Sequence, residues 1–161
     1  SFDYTDVYNV ELWAMGYLDG GESNRALRLS TLRSHVQLSR DMTAIGANSG
    51  LLSQTVRRLE EVAGALWNKN IPAMVAAYTA DMVAVLQGIA AKQRTGGRVY
   101  MVVGDSRYAG VDVPVAAIMA EIAPSLNFKL VRVEPCRSMR ASPQQGGRPE
   151  LAESLVVLES R

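Results

Sequence analysis

The run Val99-Tyr100-Met101-Val102-Val103, set between Gly96-Gly97 and Gly104, constrains this chain more than any other segment. An unbroken apolar run closed by glycines reads as a β-strand covered on both faces, because a strand with one wet face alternates polar and apolar residues. The spacing therefore predicts an interior strand over 99–103, not an edge.

Such a strand needs helices and further strands around it, and the sequence supplies them unevenly. From Phe2 to about Arg94 almost every segment has helical spacing. Apolar and aromatic residues over 3–18 predict a first helix that stops at Asp19-Gly20-Gly21. Glu22 or Ser23 opens a second helix through Arg33, and the small, polar residues 41–50 read as a loop. Leu51, Leu52, Val56, Leu59, Val62 and Leu66 trace one face of a third helix ending near Trp67. The most regular helix follows, with Pro72 in its first turn, Met74, Val75, Tyr78, Met82 and Leu86 on one face, and Thr95-Gly96-Gly97 as its stop.

Beyond the first strand the pattern predicts a loop over Asp105–Asp112, a helix over Val113–Leu126, and strands over 128–133 and 154–158. Between those strands Glu134–Glu153 is a polar connection of about twenty residues, a length usually reserved for functional or mobile loops. The expected fold is therefore α/β, one partial domain over 1–161, mainly helical over 1–95 and strand-helix-strand-strand over 96–161. A helical crossover makes the first two strands parallel, and the last returns beside them. Three strands and about four helices leave a sheet edge open, so further strands are expected from elsewhere, or from a second copy in a homodimer.

Composition narrows the class. With 161 residues, 48% hydrophobic and 20% charged, the chain has ordinary globular make-up. Its unbroken apolar stretches are far shorter than the roughly 20 residues of a membrane span, so a soluble, cytoplasmic protein without membrane contact is expected. One cysteine, Cys136, and one histidine, His35, cannot assemble a soft-ligand metal set, and no metal is expected. The net charge of +1 excludes a global basic field. Of the 17 basic residues only Lys69, Lys92 and Lys129 are lysines, and arginine is the side chain whose planar fork suits phosphates and base edges. The first residue is Ser1 rather than Met, from which a segment upstream is expected.

The helix–turn–strand Thr95-Gly96-Gly97-Arg98-Val99-Tyr100-Met101-Val102-Val103-Gly104-Asp105-Ser106 resembles one in the S-adenosylmethionine-dependent DNA amino-methyltransferases, the adenine-N6 and cytosine-N4 class. The opening Phe2-Asp3-Tyr4-Thr5-Asp6-Val7-Tyr8 with Glu11-Leu12-Trp13, and Leu29-Ser30-Thr31-Leu32-Arg33-Ser34-His35, extend the resemblance over most of the chain, as its C-terminal half. The resemblance implies a Rossmann-like sheet ending in an antiparallel strand, S-adenosylmethionine as cofactor of the intact enzyme, and DNA as partner. The family's Pro-Pro-aromatic tetrapeptide is absent, since no proline here has a proline neighbour, and so is its glycine-rich cofactor turn. No catalytic residue is therefore assigned within this chain, which is expected to be inactive without a missing N-terminal catalytic segment.

The resemblance and the residue types together nominate two sets of candidates. Gly104, Asp105 and Ser106 stand at the carboxyl end of the strand, where open α/β sheets place ligands, and Phe2 and Tyr4 are candidates to line the same pocket. Arg25, Arg28, Arg33 and Arg40 fall in a stretch without acids that suits a DNA backbone. Arg137, Arg140, Gln144, Gln145 and Arg148 are residue types that read base edges. The competing expectation is a non-catalytic nucleic-acid-binding or assembly module that pairs with a separate catalytic chain.

Overall fold

A computed structural model describes residues 4–46, 48–140 and 150–161. The architecture is mixed α/β, with helices first and the main sheet last.

The expected first helix is two short ones, α1 (Tyr4–Val7) and α2 (Asn9–Ala14), broken at Tyr8. Neither buries a residue, and helices this short are not sustained without tertiary packing. Next, α3 (Gly21–Ser30) ends three residues earlier than the expected Arg33; the Ser23 hydroxyl accepts from the Gly20 and Asp19 backbone amides at 3.1 Å each. Then α4 (Gly50–Glu61) starts where Ser49 accepts the Leu52 amide at 2.9 Å.

Helix α5 (Ile71–Ala90) is long and apolar enough to cross a membrane by length and composition. Its place in the fold gives those properties another reason. Ile71, Met74, Val75, Met82, Val83 and Leu86 are buried in one core with Leu52 and Leu59 of α4.

The sheet corrects the expected strand order. Strands β1 (Arg98–Gly104) and β4 (Phe128–Arg140) both run antiparallel to β5 (Glu150–Ser160), in the order β1-β5-β4. The first two are thus parallel as expected, but the last strand inserts between them instead of lying outside. Consequently β1 is an edge strand among the described residues, not an interior one. Val103 is buried and Val99 and Met101 are half-buried against the core, while Tyr100 and Val102 on the opposite face are 61% and 58% exposed. The strand covered on both faces is β5, where Val156, Val157 and Leu158 are consecutive and buried. Both runs look alike in sequence; position between two partners separates them.

Two loops are also corrected. Part of Asp105–Asp112 is a hairpin, β2 (Ser106–Tyr108) with β3 (Val111–Val113), turned by Ala109 at φ 46° and Gly110 at φ 81°. Two successive positive φ angles match the twist of paired strands, and Ala109 takes a conformation alanine rarely adopts. Much of the expected loop Glu134–Glu153 is strand as well, because β4 runs on to Arg140 and β5 begins at Glu150. Between the hairpin and β4, α6 (Val115–Ile122) packs Ile118, Met119 and Ile122 into the core beside Phe128, Val156 and Leu158.

Candidate functional site

The carboxyl end of β1 is built by three elements. Gly104 is the register partner of Glu153 on β5, and the next amide, that of Asp105, donates to the Ala152 carbonyl at 2.9 Å. This ladder turns the chain at Asp105. Its carboxylate then accepts the Ala116 amide at 3.3 Å in the first turn of α6, where exposed N–H groups and the helix dipole favour a negative charge. Burial pushes the Asp105 carboxyl above the ordinary carboxylate range, Asp112 adds to that, and the α6 amides pull the other way. Ser106 enters the hairpin opposite Val113. Asp105 is thus held by the fold, half inside it, at the carboxyl end of β1.

The same edge carries one of the candidate arginines. Glu153 is the register partner of Arg137 on β4 as well as of Gly104, and the Arg137 Nε lies 2.5 Å from a Glu153 carboxylate oxygen while its side chain stays 69% exposed. Arg140 is three register positions beyond the end of β1, opposite Glu150. The fold therefore brings Gly104, Asp105 and Arg137 to one end of the sheet. Gln144, Gln145 and Arg148 lie outside the described residues, as does Phe2.

The N-terminal candidates form a second group. Tyr4 is 65% exposed and stacks on Tyr8, with ring centroids 6.0 Å apart and planes 7° from parallel. Arg28 pairs with Asp6 at 3.1 Å, tying α3 to α1. Arg25 and Arg28 line an open groove of about 600 Å³ with Trp13, Asn9 and Asn24. Trp13 is not among the candidates nominated from the sequence, and it is 63% exposed.

Arg33 and Arg40 are committed internally. Arg33 donates from Nε and Nη2 to Asp81 of α5, at 3.0 and 2.6 Å to one oxygen, and from Nη1 to the Thr43 carbonyl at 2.6 Å. Burial works to raise the Asp81 carboxyl, but the hydrogen bonds and charge of Arg33 outweigh it and hold the group below its usual range. Arg40 donates to the Thr31 and Leu32 carbonyls at 3.0 Å each. Both arginines therefore stabilise the irregular segment between α3 and α4. Sequence reasoning missed Asp81 and also Glu121, whose carboxylate takes the Ser49 hydroxyl at 2.6 Å and the Gly50 and Leu51 amides at 3.1 Å each, joining α6 to the start of α4. Carboxylates 48 and 72 residues from their partners carry no local signal.

The described residues do not fit a methyl donor. Gly20-Gly21 opens α3, and Gly96-Gly97 is the turn whose amide and carbonyl bond Ser160 at 2.9 Å each, so neither forms a strand-to-helix phosphate or nucleoside cradle. Two open grooves lie beside α2 and α4.

Comparison with known proteins supports a methyltransferase relationship. Over 170 aligned residues, 97% of this chain, the sequence is 28% identical to the Type II methyltransferase M.AvaI of Nostoc sp. strain PCC 7120 and to the protein of that name from Anabaena variabilis. The chain spans about a third of the length of these curated relatives, 35% in each case. No protein-family profile and no solved structure matches the chain.

Proposed function

We propose that this chain is the C-terminal part of a cytoplasmic S-adenosylmethionine-dependent DNA methyltransferase that modifies adenine N6 or cytosine N4. The observation that carries the reading is the extent of the likeness: nearly the whole chain aligns with a third of a Type II methyltransferase. The fold is consistent with it, because a helix separates two parallel strands and the last strand is antiparallel to both. A Rossmann-like sheet would be completed by further strands on the open side of β1, whose backbone groups have no ladder partner there among the described residues.

In that reading the reaction belongs to the completed enzyme. Amino methylation requires groups that hold the exocyclic amine of an extruded base in line with the methyl donor. This chain lacks the tetrapeptide for the first task and the cofactor turn for the second. Its own contribution is a wall: Asp105 and Ser106 at the sheet edge, fixed by β5 and by the first turn of α6.

The test is methyl transfer by the chain alone and by the chain joined to its upstream coding region. With labelled donor and duplex DNA, the joined protein should release N6-methyladenine or N4-methylcytosine on digestion to nucleosides, and the chain alone should release neither. Tight donor binding by the chain alone in calorimetry, or 5-methylcytosine as product, would sink the reading.

A further inference from the structure

The three-stranded sheet has two outer strands, β1 and β4, and their sequences treat an open edge differently. Along its length β4 carries Lys129, Arg132, Glu134, Pro135 and Arg137, and its register on β5 slips between Leu130 and Arg132 and again between Pro135 and Arg137. Charges, a proline and bulges are the devices that keep a free edge from pairing with another chain. β1 has none of them past its first residue: Val99 to Gly104 is uncharged and free of proline, and the register on β5 is unbroken from Arg98 to Gly104. An uncharged strand with a free row of backbone groups is a template for a further strand.

The ladder fixes which groups of β1 are free. The Asp105 amide donates to the Ala152 carbonyl, and the Gly97 carbonyl accepts the Ser160 amide, at 2.9 Å each. Hydrogen-bonding direction alternates along an antiparallel strand, so Val99, Met101 and Val103 point their amides and carbonyls at β5, while Arg98, Tyr100, Val102 and Gly104 point theirs away from it. Of the outward groups, the Arg98 carbonyl takes the Gln93 side-chain amide at 3.3 Å. Those of Tyr100 and Val102 have no ladder partner among the described residues, and both side chains are exposed on the sheet face turned from the core.

This edge is complementary to itself. Turned about a two-fold axis at Met101, two copies of β1 run antiparallel with Tyr100 opposite Val102, Val99 opposite Val103 and Arg98 opposite Gly104. Tyr100 and Val102 then fall on the hydrogen-bonded positions, where their free groups already point, and each exchanges both backbone bonds with its counterpart. On either side of the axis an aromatic ring meets a β-branched side chain, a favourable cross-strand pair, and no charge faces a like charge because Arg98 meets a glycine. We infer that the occupant of this edge in the 161-residue chain is a second copy, which joins two three-stranded sheets into one through an isologous β1 seam. The seam needs no methyltransferase activity; in a longer protein of that reading, upstream strands would take the same edge instead.

Sedimentation equilibrium of the 161-residue chain between about 5 and 200 μM should show monomer and dimer exchanging with concentration. Val102→Pro removes an amide that points out of the sheet and leaves the β5 ladder whole, so it should weaken the dimer by about tenfold or more with circular dichroism unchanged. Tyr100→Lys puts a charge on the seam without touching a backbone bond and should weaken the dimer by about threefold or more, which keeps the test open where the proline unfolds the strand. Hydrogen exchange reads the seam directly: the Tyr100 and Val102 amides should gain protection as concentration rises, whereas the Val99, Met101 and Val103 amides stay protected throughout. A chain that is monomeric across the range would overturn the inference. So would a dimer unweakened by both variants, or one in which the Tyr100 and Val102 amides exchange as fast as in the monomer, since the exposed apolar residues of α1 and α2 would then be holding it.

Discussion

Arg33 and Arg40, between α3 and α4, differ from Arg137 of β4 in what surrounds the same guanidinium. In the first region each fork is filled from within: a carboxylate of α5 and backbone carbonyls take the donors, and Arg33 and Asp81 are each only 21% exposed. In the second, a single half-buried acid faces a guanidinium whose own side chain is left largely in solvent. Arginine in the first place is part of the fold, and in the second it is free to exchange partners. Residue type alone cannot separate these cases, because the deciding acid is 48 residues away from Arg33.

The difference is measurable in stability. Arg33→Ala strips Asp81 of its guanidinium partner in a half-buried place, leaving it the residue-33 backbone amide, and frees the Asp41 and Thr43 carbonyls, so it should lower the unfolding free energy by about 2 to 3 kcal/mol in urea titration. A loss below about 0.5 kcal/mol would erase the contrast with Arg137.

Acid should reveal the same pair with a defined sign. Asp81 has a depressed native pKa, so its contribution is fully present above the unfolded value near 4 and is lost as pH falls through the native value. The urea midpoint of the wild type should drop below about pH 4, and the drop should be shallower in Arg33→Ala.

Glu121 extends the comparison to a carboxylate. The Ser49 hydroxyl, followed by the Leu51 and Gly50 amides, holds it below its ordinary range despite exposure. Glu121→Gln should lower the urea midpoint less than Arg33→Ala and should speed amide exchange at Gly50 and Leu51 first.

Asp105 has the opposite sign. Its raised native pKa means that its stability contribution is complete below the unfolded value and is lost as pH rises through the native one. Asp105→Asn, which can still accept the Ala116 amide, should therefore leave stability unchanged or slightly raised at neutral pH, and a large loss there would contradict the burial argument. The smallest effect belongs to Arg137→Ala, under about 0.5 kcal/mol by thermal or urea unfolding.

The helices were legible where a regular apolar face met a definite stop, as with Pro72 and Gly96-Gly97 around α5. They were not legible where the helix buries nothing: the aromatic spacing over 3–18 predicts one helix, whereas the chain forms two short ones broken at Tyr8. Strand positions were also readable, but strand order was not, because Val99–Val103 and Leu155–Leu158 are equally apolar and only the β5 ladder decides which is central. The hairpin was hidden by Ala109-Gly110, a turn without the usual asparagine or aspartate. Of the candidate site, the strand-end Gly104-Asp105-Ser106 could be placed from pattern alone. Its attachment to α6 and to β5 depends on partners more than ten residues away.

The position of β5 also bears on how the chain is made. Its eleven residues leave the ribosome after both β1 and β4, yet those two strands are joined only through them. Until Glu150–Ser160 emerges, two apolar strands wait without a ladder, and a premature stop codon ahead of Glu150 would leave them so permanently, exposed to quality control and to each other's copies.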